Sequence, residues 1–343
     1  MKTYLSRFII KLAMMGVIVF GHAASYASEL NIYSHRQAFL ITPFLDAFTA
    51  ETGIKTNVVF ASKGLAQRLA TEGANSPADL VLTVDIARLS VYAEKGLFAP
   101  VQSDVLHQVI PEHLRSKDGT WFGLSKRSRI VGVSKARVAD GAVLRIEDLA
   151  DTKWRGKICS RPGSHVYNRA LVASMIAAHG EVKAEAWARN LVANFARRPQ
   201  GNDRAQVKAI FEGQCDIAIL NHYYFGKLLN SDDAAHREWA DSINLVFPNQ
   251  GEDDRGAHVN ISGGGIAIHS KNKANAQRLL EFLVSEKAQS LYAKINYEYP
   301  VNESLELPED LKLWGTFKED QTSVSEIARL SVTAQKIIDR VGW

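Results

Sequence analysis

Two adjacent tyrosines, Tyr223 and Tyr224, follow directly on the run Cys215-Asp216-Ile217-Ala218-Ile219-Leu220. A third, Tyr167, comes after Ser160-Arg161-Pro162-Gly163-Ser164, just beyond a second strand-like run, Gly156-Lys157-Ile158-Cys159-Ser160. Side chains at the carboxyl ends of strands face the crevice in which α/β proteins bind ligands, so the three phenols could converge. A phenolate is a hard, charged oxygen donor. Three of them suit a hard trivalent cation such as Fe³⁺, which would lower each phenol's pKa and displace its proton. The same rings would also serve as core filling or as a sugar-stacking surface, and the pattern leaves these readings open. Arg36, in Tyr33-Ser34-His35-Arg36-Gln37, and Arg127, in Lys126-Arg127-Ser128-Arg129, would face the same cleft. A guanidinium offers a fork of donors that matches a planar oxyanion, and such an anion could fill the positions on the metal that three phenolates leave open. Taken singly, each arginine is as readily a surface charge.

Signatures of catalysis are missing. There is no G-x-S-x-G elbow and no Walker A loop. Ser262-Gly263-Gly264-Gly265 does not fit G-x-G-x-x-G and reads as a tight strand crossing between lobes. The histidines form no H-E-x-x-H, and His35, His165, His222 and His258 read as loop or surface residues. An exported hydrolase would need a triad that the chain does not supply. A receptor for phosphate or sulfate could use the arginines and the helix N-terminus before Asp203, but it gives the tyrosine pair no role.

The elements that must position these groups alternate. Strands at 30–34, 55–61 and 79–83 alternate with helices at 39–52, 65–72 and 86–95, as in an α/β domain with a parallel sheet. A long extended stretch over 121–138 is interrupted by the basic cluster at 126–129. A second α/β set follows, with strands at 157–160, 215–220 and 243–247 and helices at 167–179, 183–193, 203–212 and 224–229. Another extended segment at 259–269 precedes helices at 274–284, 286–296 and 323–341. Two α/β sets with two extended segments between them predict two lobes joined by crossing strands, with a ligand cleft between. The length of 343 residues agrees with two domains, and 46% apolar with 23% charged residues is a globular composition.

Lys2, Arg7 and Lys11, the apolar run Leu12 to Phe20 and the small residues around Ala27 form a secretory signal over 1–27. Without it the formal net charge falls from +4 to +1, which argues against nucleic acid as a partner. Export, most simply to a bacterial periplasm, also predicts that the two cysteines, Cys159 and Cys215, pair with each other.

Further stretches carry a resemblance: Pro77-Ala78-Asp79-Leu80-Val81-Leu82-Thr83-Val84-Asp85, Trp121-Phe122-Gly123-Leu124, Arg198-Pro199-Gln200-Gly201 with Asp203-Arg204, Asn260-Ile261-Ser262-Gly263 and Tyr297-Glu298-Tyr299-Pro300-Val301. With Tyr33 to Gln37 and the Tyr223-Tyr224 pair, these make the chain resemble the periplasmic ferric-ion-binding proteins, the substrate-binding components of bacterial iron ABC transporters. The resemblance implies a two-lobed periplasmic binding fold, each lobe a mainly parallel sheet flanked by helices. Residues 28–126 with 260–304 would form lobe one and 127–259 lobe two, with 305–343 as C-terminal helices packed on lobe two. It further implies Tyr167, Tyr223 and Tyr224 as ligands to Fe³⁺. Arg36 and Arg127 would hold a synergistic carbonate, with Arg129 as the alternative to Arg127. Some members place a histidine or tyrosine just after the first-strand arginine. Gln37 and Ala38 stand there in this chain, so three tyrosines plus an exogenous anion are favoured. The implied protein is a monomer that hands ferric ion to an inner-membrane permease.

Overall fold

A computed structural model describes residues 29–343, so the secretory signal expected at 1–27 lies outside the described residues. Strands β1 (Glu29–Ser34), β2 (Lys55–Phe60) and β3 (Leu80–Thr83) run parallel in the order β2-β1-β3. The connections between them are helices α1 (Ala38–Thr52) and α2 (Leu65–Glu72), and α3 (Ile86–Glu94) follows β3. Ile41, Phe44, Leu45 and Phe48 recur every three or four residues along α1, so one face of that helix is buried against the sheet. Every residue of β3 is buried, as suits a strand covered on both faces.

Two long strands join this half to the next. β4 (Phe122–Ser134) pairs antiparallel with β8 (Val259–Ile266) over its first part, and with β6 (Ile217–Asn221) and β7 (Ile243–Val246) over its second. β8 in turn lies antiparallel to β3, and the short β5 (Ile158–Cys159) lies parallel to β6. The result is a mixed sheet in the order β2-β1-β3-β8-β4-β6-β5, with β7 on β4. The glycine run sits inside β8 because the backbones crowd there. A Cβ at Gly263 would come within 2.7 Å of the Phe122 carbonyl oxygen, and one at Gly265 within 2.7 Å of that of Thr120.

The basic cluster does not interrupt β4. The strand runs unbroken through Lys126, Arg127 and Arg129, and all of its residues are buried. Side chains alternate along a strand, so Lys126 points to one face while Arg127 and Arg129 point to the other. Each cation has an acidic partner. Lys126 lies 2.7 Å from Glu319 and 3.1 Å from Glu303, Arg129 lies 2.7 Å from Asp203, and Arg127 lies 3.7 Å from Glu298.

Helices α4 (Asp104–Val109), α5 (Val166–His179), α6 (Glu181–Ala193), α7 (Asp203–Phe211), α8 (His222–Leu229) and α9 (Ala234–Asp241) follow along the chain. After β8 come α10 (Lys273–Leu283) and α11 (Glu286–Leu291), which runs into a π-turn over Tyr292–Asn296. The last helices are α12 (Glu309–Trp314), α13 (Val324–Arg329) and α14 (Ser331–Val341). The single helix expected over 323–341 is therefore two. The break at Leu330 lets α13 lie between α3 and α5 while α14 lies on α5 and α6. α13 thus bridges α3 and α5, while α14 packs on helices that follow β4. Trp343 inserts beneath the loop before α5, its indole nitrogen donating to the Ser160 hydroxyl at 3.0 Å.

Cys159 and Cys215 form a disulfide with their Cα atoms 5.8 Å apart. It joins β5 to the segment entering β6 and is packed among Val207, Ile210, Leu220 and Leu228. Replacing both cysteines by serine is expected to lower unfolding stability by about 2–4 kcal/mol, measured by urea denaturation. In the native sequence, denatured but unreduced protein should leave a thiol probe unreacted. Full labelling without reductant would contradict the bond.

Candidate metal centre

A cavity of ≈ 360 Å³ opens where the two halves of the sheet meet. Tyr167, Tyr223, Tyr224, Arg204 and Lys227 line it from one side, His35, Arg36, Gln37 and Glu298 from the other, and Arg127 from the crossing strand β4. Among the described residues no group of three His, Cys, Asp or Glu side chains could hold a metal ion. A metal in this chain would therefore have to use other donors, and phenols are the ones gathered in the cavity.

The tyrosines stand in the first turns of two helices. β6 ends at Asn221 and α8 begins at His222, so Tyr223 and Tyr224 follow the strand end at once. His165 caps α5 by accepting the Tyr167 N–H at 3.3 Å, which puts Tyr167 in the first turn of that helix. The Tyr223 hydroxyl lies 3.1 Å from that of Tyr167, and the rings of Tyr223 and Tyr224 are 4.4 Å apart. Helix N-termini favour negative charge, and a phenol that loses its proton here gains from both. Without a cation the protons stay on. Burial, then the neighbouring Tyr167 and Tyr224, pushes the Tyr223 phenol well above its ordinary range. Burial, then Tyr167 and Asp203, pushes Tyr224 up to about 12.

The arginines are held by buried acids. One Arg36 nitrogen donates to both Glu298 oxygens at 2.9 Å and to the Ser262 hydroxyl. Arg127 donates to the Ile261 carbonyl at 2.6 Å and the Ser262 hydroxyl at 3.2 Å, and its guanidinium sits 5.5 Å from the centre of the Tyr167 ring. Burial alone would push Glu298 up, but Arg36 and Arg127 hold its carboxyl below the usual range. Arg129 turns instead to Asp203 at 2.7 Å and Asn221 at 3.2 Å, and Arg161 meets the other Asp203 oxygen at 3.0 Å. Of the two strand arginines, it is Arg127 that lines the cavity.

Several of these groups had no assigned role in the sequence. Glu298 lies in a stretch quoted for resemblance alone. Its placement depends on Gly226 of α8, where a Cβ would come within 2.6 Å of the Tyr297 ring, so only glycine lets the Tyr297-Glu298 segment pack this close. Arg204 was likewise quoted for resemblance alone, and Lys227 went unmarked. The histidines read as surface or loop groups differ: His35, His222 and His258 are buried. His222 accepts the Ser128 N–H at 3.1 Å through Nδ1 and bonds the Tyr297 carbonyl at 2.8 Å through Nε2, and burial pulls its pKa down to about 4.

The chain is similar to several known proteins. Residues 75–318 match the family described as bacterial extracellular solute-binding protein. Iron uptake protein A1 of Synechocystis is 45% identical over 92% of this chain and 87% of its own length. Ferric iron-binding protein A of Mannheimia haemolytica, solved in an open conformation, superimposes with a TM-score of 0.87 at 47% identity, covering 92% of this chain and 99% of that one. A Trichodesmium protein solved in complex with iron and citrate ligands gives a TM-score of 0.88 at 44% identity, with 92% and 100% covered.

Asp203 is fully buried, faces two guanidiniums and also accepts the Asn221 N–H at 2.8 Å. Asp203→Asn leaves both cations without a counter-charge and is expected to cost about 3–5 kcal/mol in urea denaturation. A loss below about 0.5 kcal/mol, the usual size for a surface substitution, would show that the arginines do not depend on it.

Proposed function

We propose, on the premise that this chain belongs to the family of bacterial extracellular solute-binding proteins, that it captures ferric iron in the periplasm and carries it to an inner-membrane ABC permease. The family binds and carries solutes and does not catalyse reactions on them. The observation that carries the reading is the meeting of three phenols in one cavity at two helix N-termini, with two of the hydroxyls 3.1 Å apart. The relatives named for iron uptake, ferric binding and an iron complex support it. In this reading Tyr167, Tyr223 and Tyr224 bind Fe³⁺ as phenolates, their three charges balancing the ion. An exogenous oxyanion, of which carbonate is the simplest, completes the coordination in the positive field of Arg36 and Arg127. Residues 28–126 with 260–304 act as one lobe and 127–259 as the other, closing on the ligand as a monomer.

A plain oxyanion receptor is the weaker reading. Arg36 and Arg127 already share Glu298, and that carboxylate would repel a lone anion. The three phenols would also be left without a role.

Metal binding must expel phenol protons. Because Tyr223 and Tyr224 titrate above the ordinary phenol value in the free protein, protons compete with iron throughout the neutral range. Affinity therefore falls as pH falls, by about tenfold per pH unit for each proton displaced. The loaded protein should be orange-red from phenolate-to-iron charge transfer and should bleach in acid. Tyr223→Phe and Tyr224→Phe each remove one charged oxygen while keeping the ring, and are expected to lower iron affinity steeply and shift or abolish the visible band. Tyr33→Phe is the control. That hydroxyl is spent on Glu72 at 2.7 Å, away from the cavity, and the variant should keep the wild-type colour. Wild-type colour and affinity in either cavity variant would overturn the ligand assignment.

A further inference from the structure

A second cavity, of ≈ 420 Å³, lies on the other face of β4 from the metal centre. Alternation along the strand sends Arg127 into the cleft and Lys126 to this opposite face, where its side chain lines the cavity and is only 4% exposed. The surrounding chain is pinned to the crossing strands. Lys126 and Tyr299 exchange both backbone hydrogen bonds, at 2.8 and 2.9 Å. Ala257, just before β8, donates its N–H to the Lys318 carbonyl at 2.8 Å and accepts the Asp320 N–H at 3.0 Å. Leu305, Leu307, Tyr299 and Phe317 make the walls apolar, with the Tyr299 and Phe317 rings edge to face at 5.0 Å. The Tyr299 hydroxyl is spent on the Gly315 carbonyl at 3.1 Å.

Charge in the cavity is unbalanced. Lys126 meets Glu319 at 2.7 Å and Glu303 at 3.1 Å, and among the described residues it is the one cation in the lining. Two carboxylates therefore share one ammonium. The other charged groups nearby are matched elsewhere: Asp320 by Arg255, Lys312 by Glu306, and Lys318 by the carbonyls of Gly251 and Glu252. Burial, then the Lys126 ammonium, pulls His113 below its ordinary value, so it adds no charge at neutral pH. One Glu319 oxygen is buried with no hydrogen-bond partner among the described residues. A buried charged acceptor left unpaired is costly, and burial raises the Glu319 carboxyl above its ordinary range although Lys126 opposes it.

We propose that this cavity binds a small organic ammonium with an apolar body. The charged head donates to the unpaired Glu319 oxygen and to Glu303 at the mouth, and the body lies against Leu305, Leu307 and Phe317. Aromatic ring faces also attract a cation. An anion would find only Lys126, which two carboxylates already hold, and a neutral molecule would leave the excess charge in place. The volume falls within the range of pockets for small organic ligands, about 300–1,000 Å³. The site needs no metal, so it stands apart from what the cleft carries.

The test titrates the full chain with phenethylammonium by calorimetry at low ionic strength. The wild type is expected to bind one molecule with a Kd of about 1 mM or tighter. Phenethyl alcohol and hydrocinnamate keep the ring without the positive charge and should bind about tenfold or more weakly. Glu319→Gln keeps the side chain's size, removes its charge and should weaken phenethylammonium about tenfold. Glu303→Lys reverses the charge of a side chain 63% exposed, where folding is not at stake, and should weaken binding about threefold or more. That variant decides the matter even where Glu319→Gln fails to fold. Absence of saturable phenethylammonium binding, equal binding of the alcohol or the carboxylate, or wild-type affinity in Glu303→Lys overturns the assignment.

Discussion

A guanidinium does not lose its proton at any pH at which a protein is folded, so two of them can share an interior only if a carboxylate shares it too. Glu298 meets that condition for Arg36 and Arg127. Arg36 follows β1, Arg127 lies mid-way along β4, Glu298 follows the π-turn after α11, and Ser262 of β8 bonds both arginines. Four segments far apart in the chain are therefore fixed at one point. That point is also the floor of the cavity. The field there is positive but restrained, because one carboxylate is shared by two guanidiniums.

The opposite wall repeats the device with Asp203, Arg129 and Arg161. Here the carboxylate also takes the Asn221 N–H, so it sets the strand end from which Tyr223 and Tyr224 emerge. Both clusters hang from β4 through residues two apart, which alternation sends to the same face. Buried ion pairs of this kind add little net stability compared with apolar packing. Their effect is to specify where chain ends and first helical turns lie, and a site built on three hydroxyls needs that placement.

Much of this could be read in the sequence, for physical reasons that differ by residue. An apolar strand running straight into a tyrosine pair is a local signal, and so is the periodicity that marks α1. The cysteines could be paired because only two exist and the N-terminal sequence led to an expectation of export. What escaped was non-local or broke a local rule. Lys126, Arg127 and Arg129 looked like a break in a strand because charge normally marks solvent, and only the distant acids Glu298, Asp203 and Glu319 explain their burial. Glu298 itself lies 262 positions from Arg36, beyond the reach of any spacing argument. His222 looked like a loop residue because nothing nearby in sequence announces that Tyr297 will cover it. The split at Leu330 was equally hidden, since both helices carry apolar faces in nearly continuous register.

The place of β8 in the sheet bears on how the molecule comes together. Strands β1, β2 and β3 are made from the first part of the chain, but the edge of β3 is filled by β8, which follows the whole of β4 to β7. During synthesis or refolding that edge stays open, with unpaired backbone groups and a fully buried strand's apolar side chains exposed. Closing it requires contacts between residues very distant in sequence, the kind that slow folding and leave partly formed sheets prone to self-association. The glycines of β8 leave no side chain to anchor it early, so the first half of the sheet should be the last part of the protein to become secure.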